Sequence, residues 1–261
     1  MRISKIGTAA DEIARARLEG RRLGPLHPFL RPADEAAAYA VQAALHERLE
    51  PTLGRRIGYK IGCTTPVMQE YLGIHSPCAA GVFERGVHRS GVTLRHDDYR
   101  RIGVECEIAV RLGRDLPAGR KPITADRAGE AVAAYMAAIE IVDDRYEDWR
   151  KTDTPTLIAD DFFAAGCVLG EPVTDPGNPA DLVGTTTING VEVGRGEGRD
   201  VMGNPLNALA WIAASLAQRG KHLREGEIVL LGSLVETKWL APGDRVTIDV
   251  TRLGRVELTV N

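Results

Sequence analysis

Glu105 and Glu107 are one residue apart in the run Gly103-Val104-Glu105-Cys106-Glu107-Ile108-Ala109-Val110. Side chains alternate faces along a strand, so there the two carboxylates share one face and Val104, Cys106 and Ile108 the other. Adjacent carboxylates repel, and burial of their face raises the cost of ionising both. A hard divalent cation such as Mg2+ or Mn2+ removes both costs, because such ions take carboxylate oxygens. A solvated acidic face on a half-exposed strand gives the same alternation. Glu140 is a sharper anomaly, a lone acid in the apolar run Met136-Ala137-Ala138-Ile139-Glu140-Ile141-Val142. Buried charges are paired or bound to metal, so Glu140 requires either an Arg or Lys partner or a metal ion. Lys60 sits between apolar neighbours in Arg56-Ile57-Gly58-Tyr59-Lys60-Ile61-Gly62, an unexpected place for a solvated ammonium.

The elements that must position these groups are mostly strands. A charged helix is expected over Thr8–Leu23, then a turn at Gly24-Pro25-Leu26-His27-Pro28. A second helix over Asp34–Leu49 has Asp34 as N-cap and Ala38, Val41, Leu45 and Leu49 on one face. Strands follow at Arg56–Gly62, around Glu105 and at Met136–Val142. Helical turns are expected at Val67–Leu72 and Asp126–Tyr135, a loop at Gly73–Gly81 and a charged turn at Asp143–Trp149. Asn189-Gly190 marks a hairpin. Asn204 and Pro205 start a helix through Leu209, Ile212, Ala213 and Leu216 that Gly220 stops. Glu227–Leu231 and Arg245–Val250 are strands, with Pro242-Gly243-Asp244 as the turn between them. The fold class is α+β with a large β component.

The chain's 261 residues can bury a sizeable core, and 44% hydrophobic with 26% charged residues is ordinary globular composition. A net charge of -3 gives no bulk attraction to nucleic acid or anionic lipid. No signal-peptide core or membrane-length apolar window is present. The four cysteines lack C-x-x-C spacing, so reduced thiols and a cytoplasmic location are expected.

Taken in order, Gly58-Tyr59-Lys60-Ile61-Gly62, Glu105-Cys106-Glu107, Glu140-Ile141-Val142-Asp143-x-Arg145, Asn204-Pro205-Leu206-Asn207-Ala208 and Gly232-Ser233 resemble a known family. It is the 2-keto-4-pentenoate hydratase and 4-oxalocrotonate decarboxylase branch of the fumarylacetoacetate hydrolase superfamily, and the likeness runs from about residue 35 to the end. The resemblance implies a mixed β-sheet roll: an N-terminal helical region (1–55) and a catalytic domain (56–261). It implies Mg2+ or Mn2+ held by Glu105, Glu107 and Glu140, Lys60 beside a small 2-oxo acid substrate, and a Gly232-Ser233 loop that helps hold the substrate carboxylate. It further implies lyase chemistry through a metal-stabilised enolate, in aromatic catabolism, and a homo-oligomer. Three carboxylates on one divalent ion leave net negative charge, and Lys60 is the cation to offset it.

Two departures concern proton transfer. The hydratases carry an aspartate in a Gln-Pro-Asp-Phe-Gly-like run, where this chain has Ser76-Pro77-Cys78-Ala79-Ala80-Gly81. Their Asp-Asn-Ala-Ser-like run is here Asp160-Asp161-Phe162-Phe163, a phenyl ring replacing the hydroxyl. A free thiol titrates near ~8.5 and a carboxylic acid near ~4, so Cys78 is an equivalent acid/base only with a strongly depressed pKa. His75 supplies a base if its loop closes over the site, and is otherwise an exposed loop residue. Lys238 either approaches the substrate carboxylate or is solvated. A hydratase-like lyase is the leading expectation. Decarboxylation and C–C hydrolysis on the same centre are alternatives, the latter weakened by the lack of a clear Glu-x-x-His run. A non-catalytic metal-binding partner subunit is the third.

Overall fold

The computed structural model describes residues 3–117, 119 and 122–261. The chain runs α1 (Ile3–Leu18), α2 (Glu35–Leu53), β1 (Arg56–Gly62), α3 (Pro66–Leu72), β2 (Cys78–Phe83), β3 (Val87–Arg89) and β4 (Val92–Leu94). It continues through β5 (Ile102–Leu112), α4 (Ala125–Gly129), β6 (Val132–Asp143), α5 (Thr154–Ala159), β7 (Ala164–Leu169), β8 (Val183–Ile188) and β9 (Val191–Glu197). The last elements are α6 (Pro205–Gln218), β10 (Ile228–Trp239), β11 (Arg245–Val250) and β12 (Gly254–Val260).

A seven-stranded sheet has the order β2-β1-β10-β5-β6-β7-β3, and a five-stranded sheet the order β4-β12-β11-β8-β9. Both are mixed: β1 with β10, β3 with β7 and β4 with β12 are parallel, whereas β5, β6 and β7 pair antiparallel. The α+β class and mixed sheets are as expected. Buried side chains of α1 and α2 share one apolar core with those of the sheets. Gln42 of α2 ties the helix to the sheet, its Nε2 donating to the carbonyls of Ala79 and Ile158 at 2.8 Å each. Among the described residues no helix is long and apolar enough to cross a membrane.

Caps fall where residue chemistry places them. Asp34 accepts from the Ala37 N–H at 2.8 Å and Asn204 from that of Leu206 at 2.9 Å. Element lengths differ from expectation for identifiable reasons. α1 ends at Leu18 rather than Leu23 because Gly20 takes φ 62° and the Arg21 N–H returns to the Ala16 carbonyl. α2 continues past Leu49 to Leu53 and closes at Gly54. The helix expected over Asp126–Tyr135 is only Ala125–Gly129, since from Val132 the chain pairs with β5. The expected loop Gly73–Gly81 ends at Pro77, as Cys78 onward pairs with β1. β10 does not stop at Leu231; it runs on to Trp239 through register shifts that place Gly232 and Ser233 within a bulged strand, not a loop.

The first residues of the expected charged turn are buried. Asp143, Asp144 and Arg145 are at most 8% exposed. Arg145 donates to the Asp160 carboxylate at 2.8 Å, to the Asp160 carbonyl at 2.6 Å and to the Ala164 carbonyl at 3.1 Å. Beside it, Asp161 meets Arg17 at 3.0 Å, His46 at 2.7 Å and the Gly81 N–H at 2.9 Å. Burial opposes ionisation of Asp161, but His46, Arg17 and that N–H outweigh it and hold the carboxyl below its usual range. These bonds fix Asp161, Phe162 and Phe163 at φ 60°, 44° and 66°, a left-handed turn that costs non-glycine residues about 1–2 kcal/mol each. Removing the anchor takes a buried partner from Arg17, His46 and the Gly81 N–H and releases the turn. Asp161→Ala is therefore expected to lower the unfolding free energy by about 3–5 kcal/mol in urea denaturation; a change within about 0.5 kcal/mol would show the network to be inert.

Candidate metal centre

β5 and β6 pair so that Glu105 lies directly opposite Glu140. Glu107, two residues along β5, projects from the same face as Glu105. Carboxylate oxygens of all three lie within 4.8 Å of one another. Glu107 is 0% and Glu140 1% exposed, while Glu105 is partly open to the cavity. The Gly232 N–H donates to Glu107 Oε2 at 2.9 Å, and the Thr237 hydroxyl donates to Glu105 Oε1. Lys60 Nζ, on β1, stands 2.9 Å from Glu140 Oε1. Glu107 Oε1 and Glu140 Oε2 are buried with no hydrogen-bond partner.

Two orphaned carboxylate oxygens in a buried three-acid cluster are costly unless a cation takes them. An all-oxygen donor set of this kind suits a hard ion such as Mg2+ or Mn2+. Electrostatics agree. Burial, followed by the Glu140 charge, pushes Glu105 up to about 7, against the pull of Lys60 and the Thr237 hydrogen bond. Burial and then the Glu140 and Glu105 charges push Glu107 well above the usual range. Burial works to discharge Lys60, yet Glu140 and then Glu105 hold it above an ordinary lysine. Lys60 is thus a fixed cation.

Gly232 is required where it stands. Its φ is 117°, and a Cβ there would come 2.6 Å from Thr64 Cγ2. A side chain would displace either Thr64 or the N–H that holds Glu107.

A cavity of about 440 Å3 opens on the centre, reaching Lys60, Glu105, Ser233 and Thr237 on its polar side. Met68, Trp149, Phe162, Phe163 and Trp239 form the apolar wall. Lys60 and Glu140 also border a second cavity of about 400 Å3, but Glu105 and the β10 bulge do not. The first brings Glu105, Lys60 and an apolar wall together.

Lys60, Glu105, Glu107, Glu140, Gly232 and Ser233 converge. Ser233 turns its hydroxyl to the Val235 carbonyl. Cys78 is 1% exposed, behind the wall, with its Sγ 3.6 Å from that of Cys63, which does line the cavity. His75 is exposed between α3 and β2 and is not among the lining residues; pairing of β2 with β1 draws the chain inward only from Cys78, so no closed loop carries the imidazole to the centre. Lys238 bonds Glu236 at 2.6 Å instead of facing the cavity. Sequence reasoning missed Cys63, Thr64, Trp149, Thr237 and Trp239. For Thr237 and Trp239 a signal existed: they continue the alternation Ser233, Val235 along β10 past the residue where that strand was expected to end.

Mixed sheets that bring three carboxylates and a lysine to one cavity define a class of candidate metal-binding catalysts. A family model described as fumarylacetoacetate (FAA) hydrolase C-terminal matches residues 85–261, and the chain belongs to the fumarylacetoacetate hydrolase family. It is 35% identical to a 2-keto-4-pentenoate hydratase of Burkholderia vietnamiensis (strain G4 / LMG 22486), over 98% of this chain and 97% of that protein. It is 33% identical to the 2-keto-4-pentenoate hydratase of Paraburkholderia xenovorans (strain LB400), over 95% and 92%. Its fold matches the 4-oxalocrotonate decarboxylase from Pseudomonas putida G7, complexed with magnesium and adipate, with a TM-score of 0.94 at 24% identity, covering 100% and 99% of the two chains.

Proposed function

We propose that this chain is a divalent-metal-dependent hydro-lyase that hydrates a small 2-hydroxydienoic or 2-oxo acid, in the manner of the 2-keto-4-pentenoate hydratases it resembles, and serves aromatic catabolism. The observation that carries the reading is the cluster of Glu105, Glu107 and Glu140, with buried unpartnered oxygens, beside Lys60 in a cavity with an apolar far wall. A Mg2+ or Mn2+ held by Glu105, Glu107 and Glu140 would supply Lewis acidity toward the bound acid. The chain's own groups do the rest. Lys60 Nζ, kept protonated by Glu140, offers positive charge to the acid end of the substrate. Gly232 and Thr237 fix the orientation of Glu107 and Glu105, and the aromatic wall keeps bulk water off the tail. Cys63 Sγ, in contact with Cys78, lies on the cavity wall, and this chain has Cys78 at the place of the hydratases' aspartate.

The tail end favours hydration over decarboxylation. A dicarboxylate such as 4-oxalocrotonate needs a cation for its second charge. Among the described lining residues Lys60 is the one cation, while Asp200 and Glu236 add negative charge. Arg101 and Arg150 lie over the rings of Trp239 and Trp149, 4.2 and 5.0 Å away, and do not line the cavity. A cytoplasmic location and a homo-oligomeric assembly belong to the same reading; Val67 and Tyr71, 75% and 60% exposed, are apolar surface available to a second copy.

The test offers Mg2+-loaded protein 2-hydroxypenta-2,4-dienoate, 4-oxalocrotonate and an acylpyruvate, following ultraviolet absorbance and carbon dioxide release. Loss of the dienoate chromophore, at least about ten-fold faster than carbon dioxide release from 4-oxalocrotonate, is expected. The reverse order would replace hydration by decarboxylation. No turnover with metal bound would favour the partner-subunit reading.

A further inference from the structure

We propose that Cys63 and Cys78 form a redox-active dithiol that a hydroperoxide entering the cavity converts to a disulfide, and that this bond disables the metal centre. Three observations place the pair. Cys63 follows the last residue of β1 and Cys78 opens β2, with Gly62 and Cys78 in direct register. Their sulfurs are 3.6 Å apart, so an ordinary disulfide requires an approach of about 1.5 Å. Cys63 lines the cavity, whereas Cys78 lies behind it at 1% exposure. One thiol therefore meets a small oxidant and the other waits within reach to resolve it. Cys106 and Cys167 are also free, but at 1% and 0% exposure they serve as internal controls.

The chemistry balances. The Cys63 sulfur, as thiolate, attacks one oxygen of the peroxide; the O–O bond breaks, Cys63 becomes a sulfenic acid, and hydroxide leaves to become water. Cys78 Sγ then attacks Cys63 Sγ, forming the S–S bond, breaking S–O and losing its proton with the departing hydroxide as a second water. Two thiols are oxidised and one peroxide is reduced. Contact with Cys63, followed by burial, pushes the Cys78 thiol well up, which suits a resolving group rather than the initiating one.

The bond would also act at a distance. Cys63 has φ 57°, and its carbonyl accepts from Gln69 Nε2 at 2.9 Å, so its backbone is held in a left-handed conformation. Drawing its side chain toward β2 pulls on Thr64, which packs against Gly232, whose N–H supports Glu107. Oxidation should therefore lower metal affinity as well as turnover. The dithiol stands on its own geometry; its effect on turnover rests on the hydratase reading above.

The experiment treats the intact protein with excess hydrogen peroxide, then measures free thiols, maps disulfide-linked peptides and titrates Mn2+ before and after dithiothreitol. Loss of two of the four thiols, a peptide joining Cys63 to Cys78, and an about ten-fold rise in the Mn2+ dissociation constant that dithiothreitol reverses are expected. Cys63→Ser should keep its three thiols and its own untreated Mn2+ affinity under the same exposure. Four thiols remaining, a bond between other cysteines, or sulfinic acid at Cys63 overturns the dithiol. A Cys63–Cys78 bond with unchanged Mn2+ affinity overturns the claim that it controls the centre. The thiol count and peptide map involve no substrate. Reduced protein that binds Mn2+ but hydrates nothing would therefore count against the proposed function and leave the dithiol result intact.

Discussion

Glu140→Gln is expected to weaken Mn2+ binding by on the order of a thousand-fold, with turnover falling in step. Residues that merely support a ligand cost about ten- to a hundred-fold in metal affinity, and losing a buried anionic ligand costs more. Glu140 is the acid to choose because it joins both halves of the centre. It sits opposite Glu105 across the β5–β6 pair and 2.9 Å from the ammonium of Lys60. Gln preserves its volume, so packing in β6 is nearly unchanged and the charge is the variable. The substitution leaves the Lys60 ammonium, itself 4% exposed, without its nearest counter-charge. The unfolding free energy of the metal-free protein should therefore also drop, by about 3–5 kcal/mol. Replacing Lys60 by Met in the same chain should recover much of that stability while Mn2+ binding stays weak. Isothermal titration and urea denaturation separate the two effects. Mn2+ affinity within about three-fold of the parent would remove Glu140 from the centre.

Stripped of metal, the protein should become less stable as pH rises from about 4.5 to 7, the opposite of ordinary acid denaturation. The sign follows from Glu105. Its carboxyl has an ordinary value of 4.5 and is raised to about 7 in the fold. Below the lower value both states hold the proton, and the stability linked to it is fully present. As pH rises through the window the unfolded chain releases its proton while the folded one retains it, and that stability is lost. A shift of this size corresponds to roughly 3 kcal/mol. Glu107, shifted in the same direction, adds to the effect. Saturating Mg2+ should reverse the trend, because the ion binds ionised carboxylates and competes with protons. Urea denaturation at about pH 5, 6, 7 and 8, with EDTA or with Mg2+, measures both slopes. Glu105→Gln is the control: titrating groups away from the centre cancel in the difference, and its EDTA slope should be flatter by at least that amount, because Glu107 also loses a charge that raises it. Equal slopes in parent and variant would show that Glu105 keeps an ordinary pKa.

The residues alone marked the candidate groups of the centre, because that signal is local. Alternation placed Glu105 and Glu107 on one face, and Glu140 and Lys60 stood out as charges among apolar neighbours. Capping chemistry likewise located the starts of α2 and α6 at Asp34 and Asn204. What the three glutamates form was settled only by pairing register. Glu105 faces Glu140 because β5 and β6 align there, and a slip of one residue would turn one of them to the opposite face. Burial was equally non-local. The charged run Asp143-Asp144-Arg145 reads as a charged turn with no stated partner, and only the fold brings Asp160 and the Ala164 carbonyl to Arg145 inside the protein. The continuation of β10 through Gly232 depends on a bulge against β5 and on the close approach of Thr64. The contact between Cys63 and Cys78 exists because β2 folds back on β1, which also leaves His75 outside on the turn. Types and spacing of residues carry charge and periodicity; which side chains meet is decided by strand register and burial, and these depend on segments far apart in the chain.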